Sequence, residues 1–187
     1  MNKGKLIVIS APSGCGKSTV VHALMDRRPN LKFSISATTR KPREGEVDGK
    51  DYFFVTREKF MEMVEEDAFL EHAVYVENCY GTPRKAVDDM LAAGLDVMLD
   101  IDVQGAFQIR EKRPDALMVF LMPPSFEELE KRLILRGKDS MEVIKNRLIT
   151  AREECKVADR FDYIIVNDDV ERAVSEFSSI IDKEKNK

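Results

Sequence analysis

Short apolar runs alternate with longer amphipathic, charged stretches along this chain. KLIVIS (residues 5–10) is apolar and β-branched, the pattern of a strand buried on both faces. A glycine-containing loop follows at 11–16. From Lys17 to about Arg28, Val20, Val21, Leu24 and Met25 share one face of a predicted helix that Pro29 stops. VMLDID (97–102), ALMVFLM (116–122) and DYIIVN (162–167) predict three more buried strands. Helices are predicted over 103–112, closed by Pro114, and over 170–184, with DKEKNK as a frayed tail. Ser125 and Glu128 form a capping-box pattern that opens a charged helix. Arg136-Gly137-Lys138-Asp139 breaks it, and Asp139 can cap the long charged helix that follows. Continuously apolar strands alternating with helices imply a parallel sheet covered on both faces. Such sheets bind ligands at the C-terminal ends of their strands.

From Phe33 to Val55 the pattern changes. FSISATT alternates, and the polar KPREGEVDGKDYFF suggests strands joined by a long loop. A short helix from Thr56 to about Glu66, the strand-like FLEHAVYVE, a turn at NCYGT and a helix from Pro83 to Ala93 ended by Gly94 complete the segment. Residues 34–96 therefore read as a small mixed insertion.

Composition narrows the function classes. Apolar residues make up 43% of 187, enough for a core, and no run approaches the ~20 apolar residues that span a bilayer. The apolar run after the N-terminal lysines is too short for a signal peptide. Cys15, Cys79 and Cys155 are odd in number and widely spaced, which argues against a disulfide framework or a zinc site and for a reducing cytoplasm. A net charge of −4 disfavours general nucleic-acid binding. Positive charge is instead local, at Arg40, Lys41 and Arg43 and along Arg132, Arg136, Lys138 and Arg147.

SAPSGCGKST (10–19) carries the clearest chemistry. A phosphate loop asks for Gly, four free positions, then Gly-Lys-Ser/Thr. Here Ala11 takes the first position, ahead of Gly14, Gly16, Lys17 and Ser18. A glycine turn with a surface lysine would suit the loop alone, but the strand before it and the helix after it suit a cradle of N–H groups for phosphate. Lys17 can reach β- and γ-phosphates and Ser18 can ligate Mg²⁺. Asp100 and Asp102, two apart on LDID, would project to one side of their strand. They read either as Mg²⁺ ligands or as a buried pair capping neighbouring N–H groups. Arg40 and Arg43 with Tyr52 and Tyr80 resemble an oxyanion site, although TRKPRE alone would pass for a solvated loop. Glu71 is an acid in an apolar segment, either outward-facing or an acceptor for an N–H edge. Arg132, Arg136 and Arg147 read as solvated helix faces or, beside such a loop, as arginine fingers in cis. Positive potential in the loop could lower the Cys15 thiol pKa, though a small residue that fits is the plainer reading. His22 and His72 have no Ser or Cys partner at suggestive spacing.

SAPSGCGKST, FSISATTRKPREGEVDGKDYFF, FLEHAVYVENCYGT, LDIDVQG, RLILRG and DYIIVNDD, in this order over nearly the whole chain, resemble the guanylate kinase family of bacterial type. Bacterial members also carry alanine at the first loop position, and Cys79 stands where many members have an aromatic residue. The resemblance implies an α/β, P-loop NTPase-like fold, three layers α/β/α with a parallel core sheet. The core would comprise 1–33, 97–125 and 151–187, with a mixed α+β GMP-binding insertion at 34–96 and a helical lid at 126–150. It implies Mg²⁺-dependent transfer of the ATP γ-phosphoryl group to GMP or dGMP by a cytoplasmic monomer or small homo-oligomer. By position, Ala11, Pro12, Ser13, Gly14, Cys15, Gly16, Lys17, Ser18 and Thr19 would hold ATP, with Asn167 near adenine. Ser36, Glu71, Thr82 and Asp102 would read guanine, beside Gly81, while Arg40, Arg43, Tyr52 and Tyr80 would hold the GMP phosphate. Lys17, Arg40, Arg43, Arg136 and Arg147 would be catalytic, with Ser18 and Asp100 toward the metal. The rival assignments are a non-catalytic phosphopeptide-binding domain, disfavoured by the intact Gly16-Lys17-Ser18, and a kinase of phosphorylated sugars, disfavoured by Ser36, Glu71 and Thr82.

Overall fold

β1 (Leu6–Ser10) is buried at every position, as its unbroken apolar run demands. The structure is a computed structural model and describes residues 3–75, 77–135, 137 and 140–186. After β1 come α1 (Lys17–Arg27), β2 (Leu31–Phe33), β3 (Ala37–Thr38), β4 (Phe53–Phe54), α2 (Arg57–Glu65), β5 (Phe69–Tyr75), β6 (Asn78–Pro83) and α3 (Arg84–Ala92). β7 (Asp96–Asp100), α4 (Val103–Lys112), β8 (Leu117–Met122), α5 (Phe126–Leu135), α6 (Met141–Cys155), a 3-10 turn, β9 (Tyr163–Val166) and α7 (Val170–Lys185) complete the order. The five-stranded sheet runs β2-β7-β1-β8-β9, and a four-stranded sheet runs β4-β3-β6-β5. The architecture is α/β with a parallel-strand core sheet.

The chain divides into two compact units. One comprises Met1–Ile7, Asn30–Leu99 and Gln104–Ala116; the other comprises Val8–Pro29, Asp100–Val103 and Leu117–Lys187. In the first unit, β2 pairs in parallel with β7. β5 and β6 form an antiparallel hairpin, and β3 pairs antiparallel with β6 and parallel with β4. The Phe60 ring stacks on Phe69 at 4.5 Å in a cluster with Ala37 and Cys79, so the unusual cysteine serves as core. Thr56 caps α2 by accepting from Lys59 N–H at 3.1 Å. In the second unit, β8 pairs in parallel with β9. α1 lies on α7, where Arg28 bonds Ser178 and pairs with Asp182 at 2.7 Å. α5 packs on α6 through Leu129, Leu133, Ile144 and Ala151.

Several local expectations give way. NCYGT is strand, not turn. Gly81 sits beneath the Phe69 ring, where a Cβ would come within 2.9 Å, so the glycine serves close packing in an extended strand. β7 ends at Asp100, so Asp102 lies beyond the strand and the two acids do not alternate along it. β9 is the last strand of its sheet, and Ile164 and Val166 are exposed. Ser140, not Asp139, caps α6, accepting from Val143 N–H; Asp139 lies outside the described residues. α7 continues through Lys185, so most of the expected frayed tail is helix. Ser125 does cap α5 through Glu128 N–H at 3.1 Å, while the Glu128 carboxylate pairs with Arg132.

Candidate functional site

In the second unit, the turn from β1 into α1 closes through Cys15 N–H to Pro12 O at 3.1 Å. Gly14 and Gly16 hold left-handed φ angles of 91° and 89°, which free a loop to turn its N–H groups inward. Residues 11–19 line a concavity of about 260 Å³. Lys17 opens α1 and its ammonium pairs with Asp100 at the end of β7. Ser18 and Thr19 are exposed beside it.

The loop is braced from outside by three elements. Asn167, buried after β9, donates from Nδ2 to Cys15 O at 2.7 Å. Arg132 on α5 reaches Asn167 O at 3.3 Å and Cys15 O at 3.5 Å. It braces two carbonyls, a use that helical spacing alone did not suggest. Arg147 on α6 donates from Nη2 to Ser13 Oγ at 2.6 Å. Arg136 lies outside the described residues. Burial pushes the Cys15 thiol up to about 12, against the lowering expected from its cationic neighbours; Sγ donates to Leu121 O at 3.5 Å.

Gly16 makes a demanding position. A Cβ there would come within 2.7 Å of Asn167 Nδ2, and left-handed backbone costs an L residue about 1–2 kcal/mol. Gly16→Ala is therefore expected to lower the melting temperature by about 2–4 °C per kcal/mol lost and to weaken ATP binding. Calorimetry and ATP titration check both, and unchanged ATP affinity would contradict a phosphate-holding loop.

Glu154 on α6 was not singled out by the sequence, since it lies in an ordinary charged helix. Its Oε2 is buried without a hydrogen-bond partner among the described residues. Its pKa is raised chiefly by burial, with Lys17 and the Ser13 N–H opposing and Asp102 adding. The folded chain thus holds this proton more tightly than the unfolded chain. The contribution of Glu154 to stability is full below the ordinary carboxylate pKa and is lost as pH rises through the raised one. Glu154→Gln cannot titrate, so its urea midpoint should climb relative to wild type as pH rises above the ordinary carboxylate range. A difference constant with pH would refute this.

The first unit holds a second set of candidates. Glu71 on β5 is buried and its Oε1 accepts from the Thr82 hydroxyl on β6 at 2.6 Å. The two residues face each other in the hairpin register, with Gly81 next in line. Ser36 precedes β3, and its carbonyl accepts from Phe53 N–H at 2.9 Å. Arg40 lies over the Tyr52 ring at 5.4 Å and the Phe54 ring at 5.8 Å, with Tyr80 6.2 Å from Tyr52. Glu46 completes this cradle and was missed in the sequence. Its Oε1 accepts from Arg40 Nη2 at 2.8 Å and its Oε2 from Arg43 N–H at 2.7 Å. The Arg40 guanidinium holds the Glu46 carboxyl below its usual range. The signal for Glu46 was present only as an acid in PREGE, a loop too charged for any one pair to stand out. The Arg43 side chain is exposed beside this loop. Asp102 belongs to the second unit and is exposed.

The glycine loop and its paired lysine would suit the phosphates of a nucleotide, and the buried carboxylate and arginine cradle would suit a second polar ligand. Comparison with known proteins gives the family. The guanylate kinase family model matches residues 3–184. A guanylate kinase of Caldanaerobacter subterraneus subsp. tengcongensis is 50% identical over 183 residues, covering 98% of this chain and 89% of the relative. One of Clostridioides difficile is 47% identical over 187 residues, covering 100% and 91%. The crystal structure of guanylate kinase from Anaplasma phagocytophilum superposes with a TM-score of 0.76 at 37% identity, covering 100% of this chain and 89% of that one. With a family model spanning nearly its whole length and relatives near half identity, the chain belongs to the guanylate kinase family.

Proposed function

We propose that this protein transfers the γ-phosphoryl group of ATP to GMP or dGMP, giving ADP and GDP or dGDP. The observation that carries the choice of acceptor is the buried Glu71 carboxylate, held by Thr82. Guanine offers a ring N–H and an exocyclic amine on one edge, and a carboxylate accepts from both. Adenine would turn a ring acceptor toward it and leave the charge unpaired. Ser36 and Asp102 are assigned to the same base, and Arg40, Arg43, Tyr52 and Tyr80 to the GMP phosphate.

Residues 11–19 hold the ATP phosphates in this assignment. The buried Oδ1 of Asn167, without a partner among the described residues, supports a place near the adenine amine. The GMP phosphate is already an anion, so its attack on the γ-phosphorus needs no strong general base. The residues therefore align and neutralise: Lys17 toward the β- and γ-oxygens, Arg147 and Arg136 toward the transferring group, and Arg40 and Arg43 toward the acceptor. The oxygen donors at Ser18 and Asp100 fit a hard dication, with Lys17 already marking Asp100 as facing the loop. Charge neutralisation on the phosphate oxygens is what Mg²⁺ held there supplies. Residues 34–96 serve as the GMP-binding insertion and 126–150 as the lid. Three unbonded cysteines suit a reducing cytoplasm, and among the described residues no helix is long and apolar enough to cross a membrane.

A coupled ADP-release assay with GMP, dGMP, AMP, UMP and CMP tests this. Turnover with GMP and dGMP well above the other three is expected, and equal use of AMP would overturn the assignment of Glu71.

A further inference from the structure

β5 is the outermost strand of its sheet, so among the described residues one side of its backbone has no strand to pair with. The ladder to β6 is also irregular where it matters, because the register shifts between Phe69 and Glu71. A bulge of this kind re-aims the side chain beside it and loosens the local pairing. A helix supplies the missing partners. Gln108 on α4 accepts the His72 N–H through Oε1 at 3.1 Å and donates from Nε2 to His72 O at 3.1 Å. Its amide thus offers β5 one acceptor and one donor, as a neighbouring strand residue would. One turn further along the same face of α4, Lys112 donates to Phe69 O at 2.9 Å and pairs with Asp67 at 2.8 Å. The two helix side chains bracket the irregularity, one on each side of Glu71.

We infer that Gln108 is a positioning residue for nucleobase selection, acting through the β5 backbone on Glu71. Successive residues of a strand point to opposite faces, so fixing both peptide groups of His72 sets the direction in which the adjoining Glu71 carboxylate leaves the chain. Selectivity that depends on two hydrogen bonds to one carboxylate is sensitive to small rotations of that carboxylate. The inference rests on the assignment of Glu71 to guanine.

The test compares wild type with Gln108→Leu and Gln108→Glu in the whole chain. The readouts are kcat/KM for GMP and for AMP, KM for ATP, and amide exchange at His72. Leucine removes both bonds, and the GMP-over-AMP ratio should fall roughly tenfold, with KM for ATP unchanged and faster exchange at His72. Ionised glutamate keeps the acceptor but loses the donor, so Gln108→Glu should lose selectivity at neutral pH. Its carboxylic acid form again offers one donor and one acceptor, so the ratio should recover toward wild type, measured at the same pH, as pH falls. A purely structural Gln108 would lower stability and leave the ratio alone; that result in either variant overturns the proposal. If Gln108→Leu does not fold, Gln108→Glu decides by the same criterion. A wild type without preference for GMP overturns the Glu71 assignment and this proposal together. Intact wild-type preference with unaffected variants overturns this proposal alone.

Discussion

Lys17→Ala is expected to cut turnover on the order of 10³-fold or more while leaving GMP binding within a few-fold of wild type. Lys17 is the first residue of α1, at the positive end of that helix, and its ammonium pairs with Asp100 at the edge of the loop concavity. Two things go when it is truncated. In the proposed assignment a cation aimed at oxygens that gain charge in the transition state disappears, and the Asp100 carboxylate loses the charge that offsets it beside an incoming polyanion. Both penalties fall on the donor nucleotide and on the chemical step. Of the residues assigned to the acceptor, Glu71, Thr82 and the Arg40 cradle lie in the other unit and keep their local contacts. Lys17→Arg should not rescue, since a planar fork does not replace a compact ammonium in so tight a turn. Coupled ADP release gives turnover and titration calorimetry gives GMP affinity. Undiminished turnover would remove the loop from the mechanism.

Glu71→Gln should lower kcat/KM for GMP on the order of 10²-fold and leave that for AMP level or raised. The substitution keeps the shape and the Thr82 contact, since an amide oxygen can still accept that hydroxyl. It replaces one of two acceptors with an NH₂ group. Guanine then meets a donor where it presents a donor, in a position where water has little access to relieve the mismatch. Adenine, with its acceptor nitrogen, meets a partner instead. Competition between the two monophosphates in one reaction gives the ratio directly. Retained discrimination would mean that the base is read elsewhere.

The apolar strands and the glycine loop were legible because they follow from local pattern. β1 needs nothing but its own residues to be recognised as buried, and Gly14 and Gly16 announce a backbone that must turn. What escaped depends on partners distant in sequence. NCYGT carries turn residues, and only the Phe69 ring above Gly81 explains a glycine in mid-strand. The exposure of Ile164 and Val166 follows from the edge position of β9, which its composition does not encode. Glu46 and Arg132 are charged residues in charged stretches, and their roles appear only when the carbonyls and N–H groups they meet are known. Cys15 was legible as a small residue that fits but not as an acid, because its burial outweighs the cations that motif logic places around it.

Alkylating reagents and peroxide attack the thiolate, and a thiol with a pKa of about 12 exposes about one part in 10⁵ as thiolate at neutral pH. A cysteine in the middle of a phosphate loop would otherwise make the enzyme hostage to oxidants. Here the sulfur is buried against the carbonyl of Leu121. Electrophiles built on a nucleotide scaffold would find an unreactive warhead target at this position, and selectivity over relatives would have to come from shape instead.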